Sequence, residues 1–224
     1  MKKVLILIHD MNIGGAQKSL LSFSQAMASC EESKEYEIHL MPIKPSGPFL
    51  AQLPDNIQLV APPKALRWMG SSLSGELLKK HFSMKCLLAE ILWILRSRLK
   101  LFPKKWNLQQ RLWSNWRRFV PKLEGTYDAA ISYMDGVPNY YVCEKVDAPK
   151  KTLWFHNEYQ KLGYDAVYDK NYYGQSDTIV TISEKCRDCL IKEFPQDKDR
   201  IHILENITSA KTMACFSQMF YPEE

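Results

Sequence analysis

The run Val4-Leu-Ile-Leu-Ile8, broken by His9-Asp10 and followed by Met11-Asn-Ile-Gly-Gly-Ala-Gln-Lys18, constrains this chain more than any other stretch. Five consecutive aliphatic side chains leave no polar face. The segment therefore predicts a strand covered on both sides, the central position of a parallel α/β sheet. Ala16, Leu20, Phe23 and Met27 then recur at helical spacing and form one stripe for burial. Strand passes into helix through Gly14 and Gly15. Glycines at such a turn let the backbone approach a ligand, and a helix start offers unpaired N–H groups at the positive end of its dipole. The turn suits an anion, a phosphate or diphosphate; the alternative is a tight turn that binds nothing.

Strands and helices alternate through the rest of the chain, which predicts βα units on a largely parallel sheet, a Rossmann-like three-layer α/β domain. The expected strands are Lys3–Ile8, Glu37–Met41, Ile57–Ala61, Ala129–Tyr133, Thr152–Phe155, Thr178–Ile182 and Ile201–Leu204. The expected helices are Ala16–Ser29, Glu184–Glu193 and Ala210–Met219, with weaker patterns over Val137–Lys145 and Leu162–Tyr173. Pro42–Pro48 and Pro62-Pro63 mark loops. At 224 residues the chain can bury a substantial core.

His9 and Asp10 cut the first apolar run too short for a secretion signal, and no later stretch suits a transmembrane helix. A cytoplasmic location is expected, which leaves Asn206-Ile-Thr208 a glycosylation sequon by letter only. The six cysteines (30, 86, 143, 186, 189, 215) have no disulfide-framework spacing, so reduced thiols are expected. Cys186-Arg-Asp-Cys189 lacks the second pair that a zinc site needs, and Ser183-Glu184 already occupies the helix start that a redox pair would use. No metal site is predicted.

The middle of the chain, about 76–122, reads as a basic helical insert. From Lys79 to Lys122 there are twelve Lys or Arg against one acidic residue, Glu90, and four of the six tryptophans (93, 106, 113, 116). The net charge of +5 is thus local: the remainder carries eighteen basic and twenty-four acidic residues. Leu87, Ile91, Ile94, Leu95 and Leu99 give one helical stripe, Pro103 breaks it, and a second helix runs from about Trp106 to Phe119. Basic residues beside Trp and Leu suit an anionic membrane surface, with Arg96, Arg98, Lys104, Lys105, Arg117, Arg118, Trp106 and Trp113 facing it. Nucleic acid ranks lower, since none of its binding motifs is present. The competing reading is a helical pair that fills the core while its charges are solvated.

Trp154-Phe-His156-Asn-Glu158 ends an apolar run at the carboxyl edge of a strand, where open parallel sheets bind ligands. His156 either meets a sugar hydroxyl or leaving oxygen or closes a structural bond, and Glu158 shares its loop. Asp135-Gly136 is a second strand-end loop for the same cleft. Ser183 follows a strand and makes a helix N-cap, a role compatible with a ligand contact. No serine triad, carboxylate pair or zinc cluster emerges, so phosphate or nucleotide-linked binding is favoured over hydrolysis.

Three passages together resemble the amino-terminal half of a GT-B-fold glycosyltransferase of the large retaining group often called family 4. They are the opening strand with Ile13-Gly-Gly-Ala-Gln-Lys18, Trp154-Phe-His156, and Ile179-Val-Thr-Ile-Ser183-Glu184 leading through Phe194-Pro195 to Ile201-His-Ile-Leu-Glu-Asn206. The resemblance implies an acceptor-binding domain over 1–206 and a terminal helix or linker over 207–224, leading toward a carboxyl-terminal domain that holds the nucleotide-sugar. It implies Gly14 and Gly15 at the donor diphosphate, His156 at the transferred sugar and no cofactor; the basic Lys79–Lys122 segment, which the resemblance leaves unmatched, adds the expectation of peripheral attachment to the inner face of the membrane. The acceptor would be a glycan or lipid-linked glycan of surface polysaccharide synthesis. Gln17 replaces the family's Glu, Ile207-Thr208 replaces its Gly after Asn206, and the paired glutamates and donor-phosphate Arg and Lys belong to a half that would follow Glu224; alone, the chain is expected to transfer little sugar. The rival expectation is a non-catalytic α/β phosphate- or nucleotide-binding module whose basic insert docks a partner. A Rossmann dehydrogenase fits less well, because Ile13-Gly-Gly-Ala lacks the third glycine of the dinucleotide pattern.

Overall fold

Strand β1 (Lys2–Ile8) is an interior strand, third from one edge of a seven-stranded sheet, covered as its unbroken aliphatic run calls for. The computed structural model describes residues 1–69 and 83–207. Beside β1 lie β2 (Tyr36–Pro42), β3 (Ile57–Leu59), β4 (Ala129–Ser132), β5 (Lys151–Phe155), β6 (Thr178–Thr181) and β7 (Ile201–Ile203). Their order is β3-β2-β1-β4-β5-β6-β7, and every pair is parallel. All seven expected strands form, so the α/β reading with a parallel sheet holds.

Seven helices connect or flank them among the described residues: α1 (Gly15–Ala28), α2 (Lys64–Trp68), α3 (Met84–Arg98), α4 (Leu108–Trp116), α5 (Val137–Lys145), α6 (Ala166–Tyr173) and α7 (Glu184–Glu193). The helix expected over Leu162–Tyr173 is shorter. Gly163 takes a left-handed φ of 66° after a 3₁₀ turn at Tyr159–Leu162, and α6 starts only after Asp165, whose carboxylate accepts the Val167 amide at 2.9 Å. The helix expected over Ala210–Met219, and the insert before residue 83, lie outside the described residues.

Alternation along β1 sends Leu5 and Leu7 to one face of the sheet and Ile6 and Ile8 to the other, all within two per cent of full burial. The first face packs under the insert and α5–α7, with Trp113, Trp116, Tyr140, Leu153, Phe155 and Ile179. The second packs under α1 and the 3₁₀ turn Pro48–Gln52, with Leu20, Leu21, Phe49, Trp154 and Val180. Each such side chain, once fully buried, contributes about 1.5–3 kcal/mol.

A buried carboxylate fastens the insert to this frame. Asp169 of α6 is wholly buried and accepts from Gln110 Nε2 at 2.8 Å and from the hydroxyls of Tyr140, Tyr159 and Tyr173 at 2.7, 2.7 and 2.8 Å. Burial pushes its pKa up while the four donors pull against it. Gln110 is itself in the capping box of α4 with Asn107, and its Nε2 also donates to the Asp165 carbonyl.

Candidate active site

Chain order reverses between β1 and β4: β2 and β3 extend one side of the sheet, β4 to β7 the other. In open α/β sheets the crevice beyond the carboxyl ends at such a reversal is the ligand site. The Tyr133 amide, just past β4, donates to the Leu7 carbonyl of β1 at 2.8 Å and ties the two sides together. The loops facing this crevice carry the residues singled out in the sequence.

Gly14 is the N-cap of α1 in extended backbone (φ −168°), and Gly15 is exposed, with open space where a Cβ would stand. A Cβ on Gly14 would meet only the flexible Gln17 side chain. The turn therefore needs no glycine for strain, and what glycine supplies is a bare surface. No side chain caps α1 and no acidic residue stands in its first turn. Its leading amides and positive dipole end thus carry no side-chain cap of their own. Asp10 points into the same loop. Burial would raise its pKa, but hydrogen bonds from His9 and the Asn12 amide outweigh that and hold its carboxyl below the usual range.

The position that glycine alone tolerates lies elsewhere, at Gly47. Its φ is 114°, and a Cβ there would collide with the backbone of Met11 and Asn12. Around it the Met11 amide donates to Ser46 O, the Phe49 amide to Met11 O, and the Lys44 amide to His9 O, at 2.9, 3.2 and 2.8 Å. The loop after β2 thus braces the loop after β1.

His156 follows β5 and lies near the end of β4. Its Nε2 donates to the Tyr133 carbonyl at 3.0 Å. Because a carbonyl can only accept, Nε2 carries the proton and Nδ1 holds the lone pair. Nδ1 is buried and has no hydrogen-bond partner, while the nearby Asn206 side chain favours the charged form of the ring against its burial. Burial pushes His156 down to about 4, so the imidazole is neutral at physiological pH. Sequence reading missed the residues that surround it. Ser19 Oγ donates to Asn206 Oδ1 at 2.9 Å and lies 3.0 Å from the Tyr133 hydroxyl, whose pKa burial lifts to about 12. Since Ser19 spends its one hydrogen on Asn206, Tyr133 donates to Ser19. The Tyr133 ring lies 4.4 Å from Trp154 and 5.1 Å from His156, and Trp154 stacks on His156 with planes 5° apart. A polar residue inside an otherwise apolar helix stripe (Ser19) and a tyrosine at a strand end (Tyr133) were the available signals.

The other candidates are more dispersed. Asp135 accepts from the Tyr164 hydroxyl at 2.7 Å, and burial raises its pKa against that bond. Gly136 beside it has φ 79° and lies against Tyr164 and Gln109, so the insert touches this loop directly. Glu158 is held below the usual carboxylate range by Lys161 and Lys185, at 2.6 and 3.1 Å. Ser183 caps α7 through the Cys186 amide at 3.3 Å. The described cysteines are all free, and no group of three His, Cys, Asp or Glu able to hold a metal occurs among the described residues.

A cavity of about 200 Å³ opens where the insert meets the ends of β1 and β2. Its walls are Ile43, Leu108, Leu112 and Val137, with His9, Lys44 and Gln109 as polar groups.

The insert corrects one expectation outright. Trp113, placed on the membrane side by the sequence, is fully buried, and its Nε1 donates to Glu144 at 3.2 Å. Trp106 is half-buried on Tyr168, ring centroids 4.5 Å apart. Arg117 pairs with Glu144 at 3.0 Å, and Arg96 lies over the Phe102 ring at 4.3 Å. Arg98, Lys104, Lys105 and Arg118 are exposed. No helix among the described residues is long and apolar enough to cross a membrane.

The sequence matches no family model and no curated protein. Among solved structures, the chain is similar to Anabaena HepE in complex with UDP and glucose, at TM-score 0.50 and 9% identity over 98% of this chain and 50% of that one. The same protein with UDP-glucose gives 0.49 at 9%, over 98% and 50%, and a glycosyltransferase from Rickettsia africae gives 0.43 at 11%, over 97% and 49%. The chain spans about half the length of the structures it matches. At such identity the likeness to HepE is one of fold.

Proposed function

We propose that this chain is the acceptor-side half of a retaining, nucleotide-sugar-dependent glycosyltransferase of GT-B architecture, with a glycan or lipid-linked acceptor in surface polysaccharide synthesis. One observation carries the reading. The uncapped start of α1 and the neutral, half-buried His156 share the carboxyl edge at the chain reversal, in a fold like that of a protein solved with UDP and glucose. Sugar transfer from a nucleotide leaves negative charge on a diphosphate, and fixed amides and a helix dipole stabilise such charge without reorganising. Gly14 and Gly15 would lie against that diphosphate. His156, with Nε2 committed to Tyr133, would present the rest of its ring to the transferred sugar as an uncharged group. The cavity by His9, Lys44 and Gln109 would take the acceptor, with Asp135, Glu158 and Ser183 as further cleft contacts. No metal or cofactor takes part in this reading, and the acceptor is met at the inner face of an anionic membrane. Transfer is expected where a second, donor-binding half accompanies this chain; turnover by the 224-residue chain alone would overturn that division of labour.

The test is a titration with UDP and UDP-glucose of ¹⁵N-labelled protein that carries both halves. Amide shifts are expected at Gly14, Gly15 and around His156, and Gly14→Glu should abolish them. Shifts confined to other regions, or none, would overturn the reading. The commitment of the His156 Nε2 proton to a carbonyl favours one alternative, a non-catalytic phosphate-binding module with a docking insert. Under that alternative His156→Ala leaves sugar transfer unchanged in a protein that carries both halves.

A further inference from the structure

Among the described residues, large apolar side chains left in solvent concentrate on α3. Met84 is 69% exposed, Leu88 49%, Ile91 45%, Leu95 49% and Leu99 65%. At 3.6 residues per turn these positions, with Leu92, fall within an arc of about 100°. The opposite side of the helix holds Cys86 and Ala89, both buried. The arc is bordered on one side by Lys85 and on the other by Arg98, and the exposed Lys100, Leu101, Lys104 and Lys105 continue it past the helix end. None of these five cations forms an ion pair with a described residue.

We infer that α3 is an interfacial helix. It lies along an anionic bilayer with Met84, Leu88, Ile91, Leu95 and Leu99 in the acyl boundary and the border cations on lipid phosphates. The charge pattern selects this occupant. A second copy of the chain packed stripe to stripe would bring Lys85, Arg98 and Lys100 against their own kind, with Glu90 as the one carboxylate available in the segment. An anionic surface meets every border charge with its opposite. The inference deepens the proposed function and rests on it only for the acceptor's place in the bilayer; lipid binding by α3 needs no sugar chemistry.

The test is co-sedimentation of the chain with phosphatidylcholine vesicles, with and without phosphatidylglycerol, at low and high salt and without nucleotide. Binding is expected with the anionic vesicles and should weaken as salt rises. Leu88→Gln/Leu95→Gln should lower the partition coefficient by about tenfold or more. Lys85→Gln/Arg98→Gln should lower it about fivefold per cation and reduce the salt dependence. All four side chains leave the core intact, so circular dichroism and Tm should match the parent and separate lost binding from lost fold. No binding by the parent chain, or equal binding by the leucine variant, overturns the inference. So does a concentration-dependent dimer in sedimentation velocity that the leucine variant abolishes, since a second copy would then be the occupant. The nucleotide titration fails or succeeds independently of all these outcomes.

Discussion

Helices α3 and α4 follow one another in the same basic segment, and each carries apolar side chains along one stripe. In α4 the stripe turns inward: Trp113 and Trp116 are fully buried against the sheet and α5. In α3 the broader stripe turns outward, and the helix touches the protein through small residues, Cys86 and Ala89, and through Asn115 Nδ2 donating to Ala89 O at 2.9 Å. The difference lies in polar anchoring. The capping box of Asn107 and Gln110, and Gln110 on Asp169, fix which way α4 faces; α3 has no side-chain cap, and its buried bond at the Ala89 carbonyl is made to Asn115 of α4 rather than to the frame of the sheet. Amphipathicity thus gives a helix two faces without saying which one the protein keeps.

Mutations and pH can break that contrast, in descending order of effect. Trp116→Ala should lower unfolding free energy in urea by about 3–5 kcal/mol, as expected for a large aromatic removed from a core. A cost near zero would mean that α4 is no better anchored than α3. Acid titration reads the sheet edge apart from both helices. The unfolded chain takes up the His156 proton near 6.5 and the native chain only near 4. Stability is therefore complete above pH 6.5 and declines as pH falls toward 4, by about 3 kcal/mol at most. Urea midpoints across that window should show the decline in the parent and a shallower one in His156→Gln. Gln110→Ala strips Asp169 of one donor and should cost about 1–3 kcal/mol in the same assay. Arg117→Gln, whose pair with Glu144 is partly exposed, should cost less than about 1 kcal/mol. Leu88→Gln on the open face of α3 should stay within about 0.5 kcal/mol of the parent. A loss several times larger would show that this face is covered.

How far the sequence could be read follows the same division between local and distant causes. Helix α7 has its predicted bounds because Ser183 caps it locally, and α5 because Gly136 and Pro138 open it. The seven strands were legible from aliphatic runs between turn signals. Trp113 was misplaced because spacing alone cannot choose between core and solvent. The Asp169 hub was invisible because its donors come from α4, α5, α6 and a 3₁₀ turn, although five tyrosines between Tyr159 and Tyr173 were a visible excess. At the candidate site His156 was found from its strand-end position. Ser19, Tyr133 and Asn206 converge on it from 187 residues of chain, which no local pattern encodes.

The brace at Gly47 bears on how tightly any anion could be held. A loop that must be ordered when its ligand arrives gives up part of the interaction energy as lost conformational freedom, about 1–2 kcal/mol for each backbone position fixed. Here the Met11–Asn12 backbone is already clamped from the side by Ser46, Gly47 and Phe49. That ordering cost falls on folding, so the proposed diphosphate at the Gly14 turn would meet a neighbouring loop that is already set.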